Sequence, residues 1–325
     1  MHDKLKYGLF SLVMLFIYGT ASATDVTQGG EGKCFLWEVK SKSATVYLMG
    51  SFHMFKRDMY PLNECFTNAF RNADTLVVEV NINDVDEDKM AKLFEGRGIY
   101  QGEDTIEQHL STATLAQLKE YLGSHDIDIT QVNKMKPWFL SMTIVLQEMI
   151  GLGYDPNLGV DMYFLANAHG KDIAELETIE DQMEILAGDP DDVQDLALRE
   201  ALEEIPDLET LMNRMVDAWS KGDADTLDII IREPEDRYPP LEQQAKRTID
   251  DRNIVMSKKI TEFLKTDKTY YIVVGGGHIG GAKGLLSLLT EMGYSVKQLP
   301  KVMQAVEQVK NVPSPWRSAY VALSR

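Results

Sequence analysis

The chain has 325 residues, 44% of them hydrophobic and 26% charged, with a formal net charge of −18. So acidic a balance argues against a general nucleic-acid binder, which needs a basic footprint, and reads instead as a well-solvated acidic surface. The length can bury one large core or two small ones, and no repeat, low-complexity stretch or Pro/Gly/Ser linker divides it.

The chain starts as a secretory leader. Lys4 and Lys6 give a positive start, Gly8 to Tyr18 is an apolar stretch too short to span a bilayer comfortably, and Ala21-Ser22-Ala23 is a small-residue cleavage site. Cleavage after Ala23 is expected, which makes residues 1–23 a signal peptide and the mature protein exported, periplasmic or secreted. No later stretch approaches 18 uninterrupted apolar residues, so no membrane span is expected after cleavage. In an oxidising compartment Cys34 and Cys65 are expected to pair as a disulfide, the alternative being two free buried thiols.

Cys34 to Val39 and Thr45 to Met49 read as strands joined by the polar turn Lys40 to Ala44, hence a hairpin. Leu62 to Asn72 reads as a helix. Thr75 to Val80 is a continuous β-branched run of the buried-strand type, and the carboxylate of Glu79 near its end is unusual. Asp84 to Ile150 is helical, with Ser111 or Thr112 as a cap and Pro137 in the first turn of a helix running to Ile150. Met135, Met142 and Met149 recur at seven-residue spacing and read as a packed helix face rather than a copper site. Asp172 to Glu177 looks like a third core strand. Thr178 to Phe263 is again mostly helical, broken near Pro190, Pro206 and Pro239-Pro240. Tyr270 to Val274 is a buried strand, Lys283 to Met292 a helix closed by Gly293, and Tyr294 to Leu299 a last short strand. Strands at both ends and helices between them predict one α/β domain over residues 24–325. Its mixed, largely parallel sheet comes from the N- and C-terminal segments, with a helical insertion over about 84–265.

Two Gly-x-x-His motifs stand out. Gly50-Ser51-Phe52-His53 follows one strand run, and Gly275-Gly276-Gly277-His278 follows another. Two strand tips, each delivering an imidazole, form one site if the strands are neighbours, because open α/β sheets place ligands at the carboxyl ends of their strands. Glycine ahead of each histidine permits unusual backbone angles and close approach to a ligand. Glu79 is the natural third member. Two imidazoles and a carboxylate form a catalytic-metal set with an open position for water, so His53, Glu79 and His278 are candidate ligands. The donor types suit Mn²⁺, Co²⁺, Zn²⁺ or Fe²⁺ alike. A metal-free arrangement, in which Glu79 orients a histidine or acts as general base, is equally open, as is a plain ion pair of Glu79 with Arg252. Arg252-Asn253 can hold a substrate carboxylate or an oxyanion. Asp161 and Glu177 are candidate substrate-binding acids at the rim, although Asp161 also suits a helix first turn. Gly275-x-Gly277-x-x-Gly280 matches a dinucleotide fingerprint, but no acidic residue ends the next strand and too little chain follows for a nucleotide fold. The common zinc-protease, serine-hydrolase and phosphate-loop motifs are absent.

These residues, taken in order, resemble the TraB/GumN family. The resemblance is carried by Leu36-Trp37-Glu38-Val39, Val46 to His53, Tyr60-Pro61-Leu62, Ala69-Phe70 and Leu76 to Glu79. It continues through Gly159-Val160-Asp161, Leu176-Glu177-Thr178 with Gln182, and Trp219-x-x-Gly222-Asp223. Arg252-Asn253 and Val273 to His278 with Gly284-Leu285 complete it. It spans nearly the whole mature chain, with Gly-Ser-Phe-His standing where the family commonly has Gly-Thr-Ile-His. The opening is shared with the Tiki metalloproteases of animals, which are Mn²⁺/Co²⁺-dependent peptidases. The wider superfamily includes erythromycin-esterase-like hydrolases and haem-binding ChaN-like proteins, and TraB-like members are associated with shutting down peptide pheromones. The resemblance implies an exported metal-dependent hydrolase of a peptide or protein substrate. Mn²⁺ or Co²⁺ would be held by His53, Glu79 and His278, with Arg252 and Asn253 assisting. A non-catalytic peptide or haem binder and a metal-independent esterase-type hydrolase are the alternatives.

Overall fold

The computed structural model describes residues 32–302, so the expected leader lies outside the described residues. Strands β1 (Lys33–Lys40) and β2 (Thr45–Ser51) form the expected antiparallel hairpin, and helix α1 (Glu64–Arg71) follows. Next come β3 (Thr75–Val78), α2 (Glu87–Gly98), α3 (Thr112–Ser124), α4 (Pro137–Gly151), α5 (Val160–Ala166) and β4 (Asp172–Glu175). A long helical stretch follows: α6 (Ile179–Ala187), α7 (Asp191–Glu204), α8 (Leu208–Lys221), α9 (Ala224–Arg237), α10 (Leu241–Ala245) and α11 (Asp251–Phe263). The chain closes with β5 (Thr269–Gly275), α12 (Leu285–Glu291) and β6 (Ser295–Pro300). The signals read from sequence operate locally. Ser111 caps α3, Pro137 opens α4, and Gly293 turns left-handed just past α12.

The six strands form one mixed sheet in the order β4-β3-β5-β2-β1-β6. β2, β5, β3 and β4 run parallel, while β1 is antiparallel to both of its neighbours. β3 and β5 are buried almost throughout, as their unbroken apolar runs require when helices cover both faces. The register sets Ser51 beside Gly275 and Val78 beside Val273. Since β5 lies between β2 and β3, the tips that lead to His53, His278 and Glu79 are neighbours.

Two expectations are corrected. Asp172 to Glu177 is not a core strand. β4 pairs with β3 alone, at the edge of the sheet, so Asp172, Ile173 and Glu175 are exposed. The methionine series does not lie on one helix face, because Met135 precedes α4 and bridges to Ile99, while Met142 and Met149 are in the main core.

Three apolar clusters lie among the described residues, the smallest of them Val193, Ala197 and Leu241. The largest surrounds the sheet, and the second joins Ile106, Leu118, Leu122, Leu140, Ile144, Leu198 and Leu202 within the helical insertion. Helix α4 ties these two together, giving Met142, Leu146 and Met149 to the first and Leu140 and Ile144 to the second. Trp219 of α8 is the anchor under the first histidine motif. It stacks on Phe66 at 5.4 Å, meets Phe52 and Phe55 edge-on, and its indole N–H donates to the Gly50 carbonyl at 2.7 Å. Cys34 and Cys65 are joined as a disulfide that pins β1 to α1. Among the described residues no helix is long and apolar enough to cross a membrane.

One buried charge group of the insertion has a measurable signature. Arg237 donates to Glu200 at 2.9 Å and to Glu204 at 2.6 Å, and Glu200 is wholly buried. Burial, reinforced by the Glu204 charge and only partly offset by Arg237, pushes the Glu200 carboxyl up to about 9. The folded protein therefore binds this proton more tightly than the unfolded chain does. The resulting stability is complete below the ordinary value of 4.5 and is lost as pH rises toward about 9. Glu200→Gln should gain stability relative to the parent as pH rises across that window. Urea unfolding of both proteins near the two ends of the window checks this, and parallel stability–pH curves would contradict it.

Candidate functional site

The parallel strands end in a row of functional side chains at one edge of the sheet. His53 follows β2, Glu79 follows β3, Glu177 follows β4 and His278 follows β5. All four are buried, between 3% and 6% exposed, so charge placed here must be balanced within the protein. Arg252, itself 8% exposed, supplies the balance from α11. Its Nε and Nη2 donate to Glu177 at 2.9 and 2.7 Å, Nη2 also donates to Glu79 Oε2, and Nη1 donates to the Thr248 carbonyl at 3.0 Å. Thr248 lies in a π-helical turn, Lys246–Asp250, immediately before α11. Such widened turns re-aim the residues that follow them and recur at functional sites. Gln182 of α6 completes the cluster, donating to Glu177 at 3.0 Å and to Glu79 at 3.3 Å. Burial works against the Arg252 charge, but Glu79 and Glu177 outweigh it and raise its pKa.

Each imidazole is held from behind. His53 Nδ1–H donates to Asp161 Oδ1 at 3.1 Å. The approach depends on Gly159, whose missing Cβ would lie 2.4 Å from the His53 carbonyl oxygen, and on Val160 N–H, which donates to the Phe52 carbonyl at 2.8 Å. Together they press the first turn of α5 onto the motif and bring Asp161 within reach. His278 Nδ1 bonds Asn253 Oδ1 at 2.7 Å, while Asn253 Nδ2 donates to the Lys283 carbonyl at 3.0 Å. That second bond fixes which amide atom faces the ring, so His278 Nδ1 carries the hydrogen and Nε2 the lone pair. His53 Nε2 is buried without a hydrogen-bond partner.

Gly275 shows where the free ring faces converge. A Cβ on Gly275 would lie 3.2 Å from His53 Nε2, 3.4 Å from Glu79 Oε1 and 3.6 Å from His278 Cδ2. Its backbone angles, φ −53° and ψ 141°, are open to any residue. The glycine is therefore needed for space, not for an unusual conformation, and no glycine of either His motif has positive φ. Glu79 Oε1 accepts from Gly275 N–H at 2.5 Å and lies 3.9 Å from His278 Nε2. The imidazoles differ electrostatically. Burial alone would lower His53, but Asp161 and Glu79 outweigh it and raise its pKa above the ordinary value. Burial, with the positive charges of Arg252 and His53, holds His278 well below it.

The donor set fits a divalent cation in chemistry. There are two imidazoles whose Nδ1 atoms are tied back, one buried Nε2 without a partner, a carboxylate oxygen facing them, and a cradle that a single Cβ would fill. Among the described residues no three His, Cys, Asp or Glu side chains already stand in a ligand arrangement. Both Glu79 oxygens are hydrogen-bonded, Oε2 to Arg252 and Oε1 to the Gly275 amide.

His53, Glu79, His278, Arg252, Asn253, Asp161 and Glu177 are thus all brought to one place, and the ion pair of Glu79 with Arg252, one of the readings the sequence leaves open, is present. Glu177 is not at the rim but buried under Arg252. Asn253 faces His278, not open space. Arg252 spends its donors on Glu79, Glu177 and Thr248. Asp161 keeps 19% side-chain exposure. The contributions of Gln182 and Trp219 were not readable from the residues alone. Their only sequence signal was membership of the family pattern.

The sequence profile of the TraB/PrgY/gumN family matches residues 35–298, from β1 to β6. The chain is 27% identical over 147 residues to the uncharacterized protein YbaP of Escherichia coli K12, and equally to YbaP of Shigella flexneri. Each match takes in 45% of this chain and 53% of the relative, so the chain spans about half the length of the curated relatives it matches. No solved structure matches it. With the profile extending over both histidine motifs, Glu79, Glu177 and Arg252-Asn253, the chain belongs to the TraB/PrgY/gumN family.

Proposed function

We propose that this protein is an exported, metal-dependent hydrolase acting on peptide bonds. The observation that carries the reading is the convergence of His53 Nε2, the His278 ring and Glu79 Oε1 on the space kept open by Gly275. His53, Glu79 and His278 would hold the cation, with Mn²⁺ or Co²⁺ favoured by the family resemblance and Zn²⁺ or Fe²⁺ compatible with the donors. A cation so held would polarise a substrate carbonyl and bring the pKa of bound water to about 7.

The chain's own groups prepare that chemistry. Asp161 fixes the His53 ring through Nδ1 and leaves the Nε2 lone pair to face the site, while Asn253 fixes the His278 ring with a neutral amide. Arg252 neutralises Glu79 from one side and leaves Oε1 facing the histidines. Glu177 and Gln182 keep the guanidinium in place. Burial limits water in the site, which strengthens each of these interactions.

A second reading is favoured by the ion pair on Glu79. With that carboxylate committed to Arg252 and the Gly275 amide, His53 Nε2 can act unaided as the base that takes a proton from water, Asp161 stabilising the imidazolium formed. A chelator separates the two. Under the leading reading, peptide cleavage by the purified protein is lost in EDTA and restored by Mn²⁺ or Co²⁺. Activity that persists in EDTA favours the second reading, and no cleavage with any metal defeats both.

Two substitutions sharpen the leading reading. Asp161→Asn and Asn253→Ala should each weaken Mn²⁺ binding by about 10- to 100-fold, the usual effect of removing a hydrogen-bond partner of a ligating histidine. Calorimetric titration measures it, and unchanged affinity in both would count against histidine ligation. Gly275→Ala places a methyl group in the cradle. Turnover should fall by roughly 10²-fold or more, with little change in the unfolding midpoint. Retained turnover would mean that the reaction takes place elsewhere.

A further inference from the structure

A cavity of about 380 Å³ lies between α6 and α11, beside the carboxyl end of the edge strand β4. Its size falls in the range of small-ligand pockets. Leu176, Ile185 and Val255 supply its apolar lining, and the carboxylates of Asp181, Glu184 and Asp251 also border it. Arg247 and Lys259 also line it: Arg247 is ion-paired with Asp189, although its Nε and Nη2 make no hydrogen bond, and Lys259 donates to the Leu176 carbonyl. The cavity's inner wall is Glu177 and Arg252, the same pair that neutralises Glu79. The pocket and the histidine site are therefore separated by one layer of side chains.

Sheet geometry gives the distance between them. The tips of β2, β5, β3 and β4 lie in that order along one edge. Neighbouring strands are about 4.8 Å apart, so two spacings place the β4 tip roughly 10 Å from the Gly275 cradle at the end of β5. An extended peptide advances about 3.4 Å per residue and covers that span in about three residues, with the cavity just beyond it. Among the described residues, β4 also has no strand on its outer side.

Building on the peptidase reading, we propose that the α6/α11 cavity is a substrate subsite. It takes an aliphatic or aromatic side chain three or four residues from the cleaved bond, in an extended peptide laid across the carboxyl edge of the sheet. The pocket then selects among peptides, while His53, Glu79 and His278 act on the bond.

The test uses fluorescein-labelled decapeptides of Gly and Ser in which one Leu is moved along the chain. Cleavage by the Mn²⁺-loaded protein is mapped by mass spectrometry. Leu three or four residues from the cut should lower KM by about tenfold relative to Gly, as burial of that side chain implies. Val255→Trp fills the mouth of the pocket at a residue 48% exposed, where the fold tolerates a larger side chain. It should erase the preference, raising KM for the Leu peptides to that for the Gly peptides. A Leu preference that survives Val255→Trp, or that is absent from the parent, overturns the subsite. If the parent cleaves no peptide, the peptidase reading fails separately. Fluorescence anisotropy of the same peptides then decides the pocket: tighter binding of the Leu peptides that Val255→Trp abolishes supports it, and equal binding to both proteins overturns it.

Discussion

The site depends on one guanidinium. Glu79 and Glu177 emerge from neighbouring strand tips into an interior that cannot solvate two negative charges, and Arg252 answers both at once. Removing one partner from such a buried arrangement typically costs about 3–5 kcal/mol, because the remaining charge is left uncompensated. The cluster is costly to assemble and its geometry is tightly determined. What it secures is the orientation of Glu79, one oxygen turned to the arginine and the other to the histidines. The π-helical turn before α11 lets the Arg252 side chain fold back on the Thr248 carbonyl, so the cation is held on every side.

The two histidines are built alike and tuned differently. Each sits past a parallel strand and each is fixed through Nδ1, His53 by an anion and His278 by an amide. Asp161 inclines His53 to take a proton, while burial and the charges of Arg252 and His53 incline His278 to stay neutral. Such separation of two similar groups is how a buried site assigns acid and base roles. The sheet makes it possible. Because β5 lies between β2 and β3, residues more than two hundred positions apart in the chain face the same small space.

Much of this was legible in the residues. The apolar runs ending in Gly50 and Gly275 announced strand tips, and the disulfide partners, caps and final helix followed from local chemistry. Glu79 drew notice because a buried strand rarely ends in a carboxylate. What was not legible were pairings set by tertiary contact alone. Asp161 reaches His53 across 108 residues, and nothing local to α5 distinguishes it from an ordinary first-turn acid. Asp172 to Glu177 reads as a core strand from its Ile, Ala and Leu, yet its strand portion lies at the edge with Asp172 and Glu175 exposed, because strand order is invisible to composition. The glycines are expected both for backbone freedom and for close approach, and at Gly275 it is the second that counts: its backbone angles are ordinary, while a methyl group there would press on His53 Nε2.

The claim that His53, Glu79 and His278 form one cation site is tested most directly by anomalous diffraction from crystals grown with Mn²⁺. The account predicts a single strong peak in the cradle beside Gly275, within bonding distance of His53 Nε2, His278 Nε2 and a Glu79 oxygen. Well-ordered side chains with no peak among them, or a peak elsewhere on the protein, would contradict it.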